Sequence, residues 1–276
     1  MQPRKNARVE TRAARTKWPL ARWRNTALTF LFVFAVWEIA VRLLSLPLYI
    51  LPGPSHILID FVDQWQRILS QAVITGQVIL AGYAVAILVS IPLALIIAYS
   101  PFIETTIYPL MVVFQIIPKI AVAPLFIVWF GFGFAPKIML VFLLSFFPIV
   151  VAAIAGFKSA DPEIMDLARS TGASQWMMFR KIRLPQALPQ VFTGLKVGAA
   201  MSATAAVVAE FVGSDKGLGY LLLDYNGNIE TGKVFAVVIL LSLIGIFVYY
   251  SVEFAERVTI PWHVSQKVEQ GDVKLF

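Results

Sequence analysis

Long apolar stretches separated by short polar segments are the main pattern of this sequence. A helix needs about 20 residues to cross about 30 Å of hydrocarbon. Six stretches are too long and too apolar for soluble helices, and they run approximately over Ala27–Leu46, Val73–Tyr99, Ile103–Pro118, Pro136–Phe157, Ala187–Val212 and Val234–Ala255. The pattern therefore predicts an all-α membrane protein with six transmembrane helices.

Two further regions depart from regular spans. Residues Ile120–Phe134 are apolar, but Pro124, Gly131 and Gly133 weaken or end a helix there. We expect a short, partly buried segment that is external or re-entrant. Residues Gly213–Gly232 combine glycines and polar residues with several leucines, which predicts a short interfacial helix on the outer side.

The composition excludes several other classes of protein. Hydrophobic residues make up 59% of the chain and charged residues 14%, with a mean hydropathy of +0.77. Soluble domains average about a quarter charged residues, so a water-soluble enzyme does not fit. Disorder does not fit either, and the absence of cysteine excludes a disulfide-stapled secreted scaffold.

The basic residues indicate the orientation of the chain. Residues 1–24 contain eight Lys/Arg and one acidic residue, and five more basic residues lie between the fourth and fifth stretches. Basic residues that flank transmembrane helices mark the cytoplasmic side. We expect a basic cytoplasmic tail at 1–24, a six-helix domain at 25–257 and a cytoplasmic tail at 258–276. Nucleic-acid binding by the basic tail is the disfavoured interpretation.

The cytoplasmic loop, about residues 158–186, carries explicit signals for a helix. Asp161 is an N-cap candidate, Pro162 suits the first helical position, and Glu163 places negative charge in the first turn. Gly172 can adopt the left-handed conformation that ends a helix. These signals predict a helix of about ten residues.

A second helix is predicted to begin at Ser174 and to end at Pro185. Trp176 and Phe179 give it an apolar face, and Arg180 gives it a basic face suited to the membrane surface. Since a few polar residues are enough to reverse a chain, a helical hairpin here indicates a docking surface.

The same loop resembles a family motif. Its fixed positions are Asp166-Leu167-Ala168, then Gly172 after three residues, then Ile182-x-Leu184-Pro185 after nine more. This is similar to the EAA loop, Glu-Ala-Ala-x3-Gly-x9-Ile-x-Leu-Pro, of the inner-membrane permease subunits of binding-protein-dependent ABC importers. Asp166 and Leu167 depart from that pattern, since they replace the Glu and the first Ala.

Other segments look like one branch of that family. Val207–Phe211, Gly217–Leu221 and the ending Pro261-Trp262-His263 resemble nitrate, sulfonate and taurine permeases, a branch that also includes transporters of thiamine precursors and pyrimidines. The resemblance covers about residues 25–265. It implies the fold of a type I ABC importer permease in the bacterial inner membrane, with both termini cytoplasmic.

The resemblance implies that the loop forms a coupling helix, which enters a groove on a cytoplasmic ATPase. The residues expected to couple are Glu163, Asp166, Leu167, Ala168, Gly172, Ile182, Leu184 and Pro185. Asp166 would be a charged anchor, and the small Ala168 and Gly172 would let the backbones approach closely.

The implied assembly contains a second permease copy, two cytoplasmic ATPase subunits and an external substrate-binding protein. The permease itself would be no enzyme and would hold no cofactor, since ATP and magnesium would bind the ATPase. Gly194 and Gly198 have the spacing of closely packed helices and are expected at a permease–permease interface.

Four residues are candidates for the solute path. Gln115 and Lys119 flank Pro118, and Glu210 and Phe211 lie at the outer end of the fifth stretch. For Glu210, a solvated carboxylate at the helix end is favoured over a contact with substrate or binding protein. The expected solute is sulfonate-, taurine- or nitrate-like, and a pyrimidine, thiamine precursor or other heterocycle is the alternative.

Three charged residues inside apolar stretches need partners or water. Glu38 and Arg42 are four residues apart and are expected to pair. Lys196 is either functional or extends its ammonium to the inner surface.

Four competing interpretations are weaker. Gly227-x4-Gly232-Lys233 imitates a phosphate-binding loop, but Val234 replaces the Ser/Thr that binds magnesium. A metal site on the two histidines is improbable because they are far apart in the sequence. A self-sufficient secondary transporter would show inverted repeats and charges at the midplane, and a membrane enzyme would show a catalytic constellation.

Overall fold

The computed structural model describes residues 19–262, and the side chains from residue 26 onward. Of the predicted tails at 1–24 and 258–276, residues 1–18 and 263–276, including His263, lie outside the described residues. Within them the chain is helical, with no strand. The helices are α1 Pro19–Leu43, α2 Pro54–Tyr99, α3 Pro101–Ile116, α4 Ala123–Phe130, α5 Phe134–Lys158, α6 Pro162–Ser170, α7 Gln175–Met178, α8 Leu184–Gly213, α9 Leu218–Gly227 and α10 Thr231–Thr259.

The predicted all-α membrane fold is confirmed, with a break in the third span. Five helical segments, over α1, α2, α5, α7 to α8, and α10, are long and apolar enough to cross a membrane. A sixth exists only as α3 joined to the segment Lys119–Phe130, and the two are bent by 86°. The bend falls at Ile117 and Pro118, because a residue that precedes proline avoids the helical region.

Helix α2 is much longer than its apolar stretch predicts. It runs over 46 residues from Pro54 and is kinked at Gln64. Its first part carries the charged residues Asp60, Asp63 and Arg67, so the hydropathy pattern did not predict this part as helix. The long helix extends beyond the membrane and provides a surface for α9.

A carboxylate from α1 completes the start of α2. Gly53, at the N-cap, has no side chain to bond the first free N–H groups. Glu38 accepts from the Ser55 N–H at 3.1 Å and from its hydroxyl at 2.7 Å. The predicted pair with Arg42 is also confirmed, at 2.7 Å from Nε to Oε1.

The predicted helix end at Pro185 is wrong. The chain is helical from Gln175 to Gly213, and α7 passes into α8 through a π-helical turn at Phe179–Arg183. The Leu184 N–H bonds to the Phe179 carbonyl, which is the wider i to i+5 spacing. Pro185 then occupies the first turn of α8, where its missing N–H is tolerated.

Helix α5 lies between α2 and α8 at the centre of the core. Close approach depends on glycines of α8, since a Cβ at Gly194 would overlap Ala152 and one at Gly198 would overlap Ile149. The pair therefore packs against α5 of the same chain, and its expected place between two permease copies is wrong. The sequence spacing shows close packing but does not show which helix is the partner.

Candidate functional site

The loop at about residues 158–186 begins with the local structure that its residues predict. The Asp161 carboxylate accepts from the Glu163 N–H at 2.9 Å, and this caps α6. Gly172 has a φ of +76°, the left-handed conformation that ends the helix. Ser174 caps α7 through the Met177 N–H at 3.2 Å. The loop is therefore a defined helical hairpin.

The first half of the motif is exposed on α6. Glu163, Asp166 and Leu167 are exposed, and 66% of Leu167 is accessible although it is a large apolar residue. Met165 is buried and holds the opposite face of α6 to the protein. No heavy atom lies within 4 Å of a Cβ built at Gly172. This face can receive another protein.

Two details refine the expected roles on α6. Asp166 is paired with Arg169 of the same helix at 2.9 Å, so its carboxylate is not an unpaired anchor. Ala168 is half-buried, while Leu167 and its neighbour Ile164 present exposed apolar surface. This face of α6 therefore offers apolar contact more than charge.

The second half of the motif packs inward. Ile182, Leu184 and Pro185 are half-buried in the π turn and the first turn of α8. Beside them, the Tyr99 ring of α2 contacts the Phe179 ring at 6.0 Å and the Arg183 guanidinium at 4.8 Å. These residues attach the loop to the transmembrane helices, so a displacement of α6 can reach α8.

Two ion pairs connect helices at the same end of the bundle. Lys158, the last residue of α5, pairs with Glu104 in the first turn of α3. Lys196 of α8 pairs with Glu256 of α10 at 2.7 Å, and Glu256 is buried. The two residues of the second pair are 60 positions apart in the sequence. The sequence therefore predicted a Lys196 that is functional or reaches the membrane surface, and it did not show that Glu256 is its partner.

Gln115 and Lys119 lie at the bend between α3 and α4. The Lys119 ammonium donates to the Gln115 carbonyl at 2.8 Å and lies 4.8 Å from the centre of the Phe147 ring. The Gln115 side chain is exposed. Helix α3 contains no buried residue, so this bend belongs to a surface that faces lipid or another chain.

The expected solvated carboxylate at Glu210 is wrong, because Glu210 has no exposed surface. Its two oxygens accept from the Thr75 hydroxyl at 2.9 and 3.0 Å, and one also accepts from the Gly219 N–H at 2.7 Å. The Thr75 oxygen accepts in turn from the Leu218 N–H at 2.8 Å. Glu210 therefore does not line an open path, and it joins α8 to α2 and to the start of α9.

The segment Gly217–Gly219 permits this arrangement. Gly217 has a φ of +107°, and a Cβ there would overlap the Glu210 carboxylate. The Gly217 N–H also donates to the Gln71 side chain of α2 at 2.6 Å. An acid seven and nine residues before two glycines was the available signal, but only the fold shows that the glycines turn back onto it. Phe211, next to Glu210, remains 42% exposed.

The features above define a polytopic helical membrane protein with a capped, exposed helical loop between its fourth and fifth spans. Residues 86–259 match the family model described as binding-protein-dependent transport system inner membrane component. The match covers more than half of the chain, and the chain belongs to this family. The predicted family is therefore confirmed.

Individual relatives agree with this assignment. The chain is 33% identical over 240 residues to the formylaminopyrimidine transport permease protein ThiX of Halalkalibacterium halodurans. The aligned residues cover 87% of this chain and 96% of the relative. It is 29% identical over 271 residues to the taurine transport system permease protein TauC of Escherichia coli, covering 94% and 97%. These relatives are permease subunits, as the sequence predicted for this chain.

A solved structure supports the fold. A chain in the crystal structure of an amino acid ABC transporter with histidines superposes with a TM-score of 0.58 at 17% identity, covering 72% of this chain and 97% of the other. The type I importer permease fold expected from the sequence is confirmed.

Proposed function

We propose that this permease is driven by separate ATPase subunits that bind the loop at about 158–186. The observation that carries this proposal is the exposed face of α6, where Leu167 and Gly172 are accessible at a well-capped helix. A rigid, partly apolar helix suits insertion into a groove of a partner. ATP and magnesium would bind the partner, and this chain would carry the solute.

The proposed assembly contains two permease copies and an external binding protein. Helices α3 and α4 support the second copy, because they expose large apolar side chains such as Phe114 and Trp129 and bury little. Both termini would lie in the cytoplasm, on the side of α6. The binding protein would then dock on the opposite face, where α4 and α9 lie.

In the proposed mechanism, closure of the ATPase pair displaces α6 and α7 as a rigid unit. The packed second half of the motif would transmit this movement to α8, and the Lys158–Glu104 pair would transmit it to α3. Such movements of packed helices convert an inward-open path to an outward-open one.

For the solute, we propose a small sulfonate-, taurine- or nitrate-like molecule. The taurine permease TauC supports this choice, since it matches nearly the full chain. A pyrimidine or related heterocycle is the second candidate, supported by the 33% identity to the formylaminopyrimidine permease ThiX. Uptake of radiolabelled taurine, with unlabelled formylaminopyrimidine as competitor, distinguishes the two.

Site-directed crosslinking tests the coupling proposal, and the chain suits it because it has no native cysteine. Leu167→Cys on α6 is expected to form a crosslink with the cognate ATPase through a short bis-maleimide. Leu223→Cys is the matched control, because Leu223 is an exposed leucine on α9. Equal crosslinking of both positions, or none from Leu167→Cys in an assembled complex, would contradict the proposal.

A further inference from the structure

A cavity of about 610 Å³ opens at the end of α5 that is far from the cytoplasmic loop. Its walls include Phe132 and Gly133 before α5, Lys137 in the first turn of α5, Ser214 and Asp215 after α8, and Tyr220 in α9. Lys137 precedes the loop end of α5 by 21 residues, or about 30 Å of helix. The cavity therefore lies at the proposed outer face.

Lys137 is the unusual group in this cavity, because only 5% of it is exposed although it carries a charge. Its ammonium donates to the Ser214 hydroxyl at 2.5 Å and to the Lys216 carbonyl at 3.5 Å. Both acceptors are neutral. An ammonium has three N–H donors, so one remains for another acceptor.

The surrounding charges leave room for an anion. Among residues 26–262, no carboxylate forms an ion pair with Lys137. Glu210 is nearby, but its oxygens are engaged by Thr75 and Gly219. Asp215 and Lys216 are exposed and oppose each other in charge. A buried cation without a contacting counterion is costly, and an entering anion would remove that cost.

The remaining walls suit the organic part of a small anion. Phe132 is 80% exposed and provides an aromatic edge at the mouth. The Tyr220 hydroxyl makes no hydrogen bond to the part of the chain that the structure describes, so it is available as a donor. A cation, an available hydroxyl and aromatic rings in one concave site are typical of sites for small organic ligands.

We propose that this cavity is a binding site for the sulfonate or carboxylate group of a small organic anion, with Lys137 as its main ligand. The inference rests on the proposed function in one respect, which is that the anion is the transported solute. The site favours the anionic candidate over a neutral heterocycle. A neutral solute could accept a hydrogen bond from the Lys137 ammonium, but it would leave the buried charge without a counterion.

The experiment measures binding to the purified chain in phosphatidylcholine nanodiscs, without any ATPase. The probe is trifluoromethanesulfonate, whose ¹⁹F resonance broadens on binding, and trifluoroethanol is the neutral comparison. We expect the wild-type chain to broaden only the sulfonate signal, and taurine to reverse it. Lys137→Met should weaken binding at least about tenfold, which corresponds to about 1.4 kcal/mol.

Three variants control for folding and for general surface charge. Lys137→Arg should retain binding, because it keeps the cation. Lys216→Met removes an exposed cation near the cavity and should change binding less than about twofold, since solvent and salt screen exposed charges. Asp215, unlike Lys216, lines the cavity, so Asp215→Asn removes a carboxylate that would repel an entering anion at close range and should strengthen binding by about twofold to fivefold. This last variant tests the site even if Lys137→Met fails to fold.

The possible results separate this inference from the proposed function. Unchanged sulfonate binding in Lys137→Met, or equal losses in Lys137→Met and Lys216→Met, overturns the site. No change or weaker binding in Asp215→Asn also counts against it. Sulfonate binding that depends on Lys137, in a chain that never crosslinks to the ATPase through position 167, supports the site and contradicts the coupling proposal.

Discussion

The loop at about residues 158–186 and the C-terminal end of α8 are built in opposite ways. In the loop, Asp161 and Gly172 act on backbone groups within their own helix, and the functional face is exposed. At the C-terminal end of α8, Glu210 is buried and bonds to Thr75, which is 135 positions away, and to the start of α9. The exposed face of the loop can therefore bind and release a partner without unfolding. The hydrogen bonds of Glu210, in contrast, fix α8, α2 and α9 relative to one another.

Glu210→Ala is expected to have the largest effect on stability. It removes the acceptor of the buried Thr75 hydroxyl and Gly219 N–H, and each buried polar group left without a partner costs about 1–3 kcal/mol. The loss should be about 2–4 kcal/mol, measured as reversible unfolding in detergent. Phe211→Ala, at the exposed neighbour, is the control and should lose much less. Equal losses of unfolding free energy in both variants would show that the hydrogen bonds of Glu210 do not stabilise this end of α8.

Lys196→Met tests whether long-range pairing also stabilises the opposite part of α8. It leaves the buried Glu256 without its partner at 2.7 Å. Breaking a buried pair costs about 3–5 kcal/mol, and because Lys196 is partly exposed we expect about 2 kcal/mol. The double variant Lys196→Met with Glu256→Met should recover most of this loss in the same unfolding measurement. A double variant as unstable as the sum of both single variants would contradict the pairing.

The same contrast explains which features the sequence could predict. Hydropathy located the spans, because about 20 apolar residues in a row need no tertiary information. Capping residues located α6, because Asp161 and Gly172 act over fewer than four positions. The burial of Glu210 and the Glu256 partner of Lys196 depend on contacts between distant segments, which a single sequence does not contain. The cavity around Lys137 is of the same kind, since three separate segments form it.

Pro185 and Asp166 show two further limits of prediction from the sequence. A proline usually marks a helix boundary, but the π turn moved Pro185 into the first turn of a continuing helix. Asp166 matched the acidic position of the family motif, yet Arg169 already occupies its carboxylate. In both cases the residue lay where the motif predicted, and its neighbours determined what it does.

Gly172→Trp should separate function from stability in the loop. The φ of +76° makes any side chain unfavourable there by about 1 kcal/mol, and the open space around it admits the indole ring in the isolated chain. At a docked surface the ring would prevent close approach. We expect loss of solute uptake with a small change in unfolding free energy.

Gly172→Asn is the matched control for that variant, because asparagine tolerates the left-handed conformation and is small. It should retain a substantial part of the uptake. Normal uptake by Gly172→Trp would contradict a role for this surface in coupling. Loss of uptake in both variants, with a large loss of stability, would indicate that Gly172 acts only as a helix end.

Asp166→Ala and Leu167→Ala measure which contact on α6 does the docking, and they should have the smallest effects on stability. The Asp166–Arg169 pair is exposed at both side chains, so its removal should cost less than about 0.5 kcal/mol. Leu167 is exposed and packs little within the chain, so its truncation should be equally mild.

The effects of Asp166→Ala and Leu167→Ala on ATPase binding should differ. Burying a leucine at an interface is worth about 1.5–3 kcal/mol, while Asp166 already has a partner. Titration of each variant with the cognate ATPase should show weaker binding for Leu167→Ala than for Asp166→Ala, and the reverse order would assign the docking energy to the carboxylate.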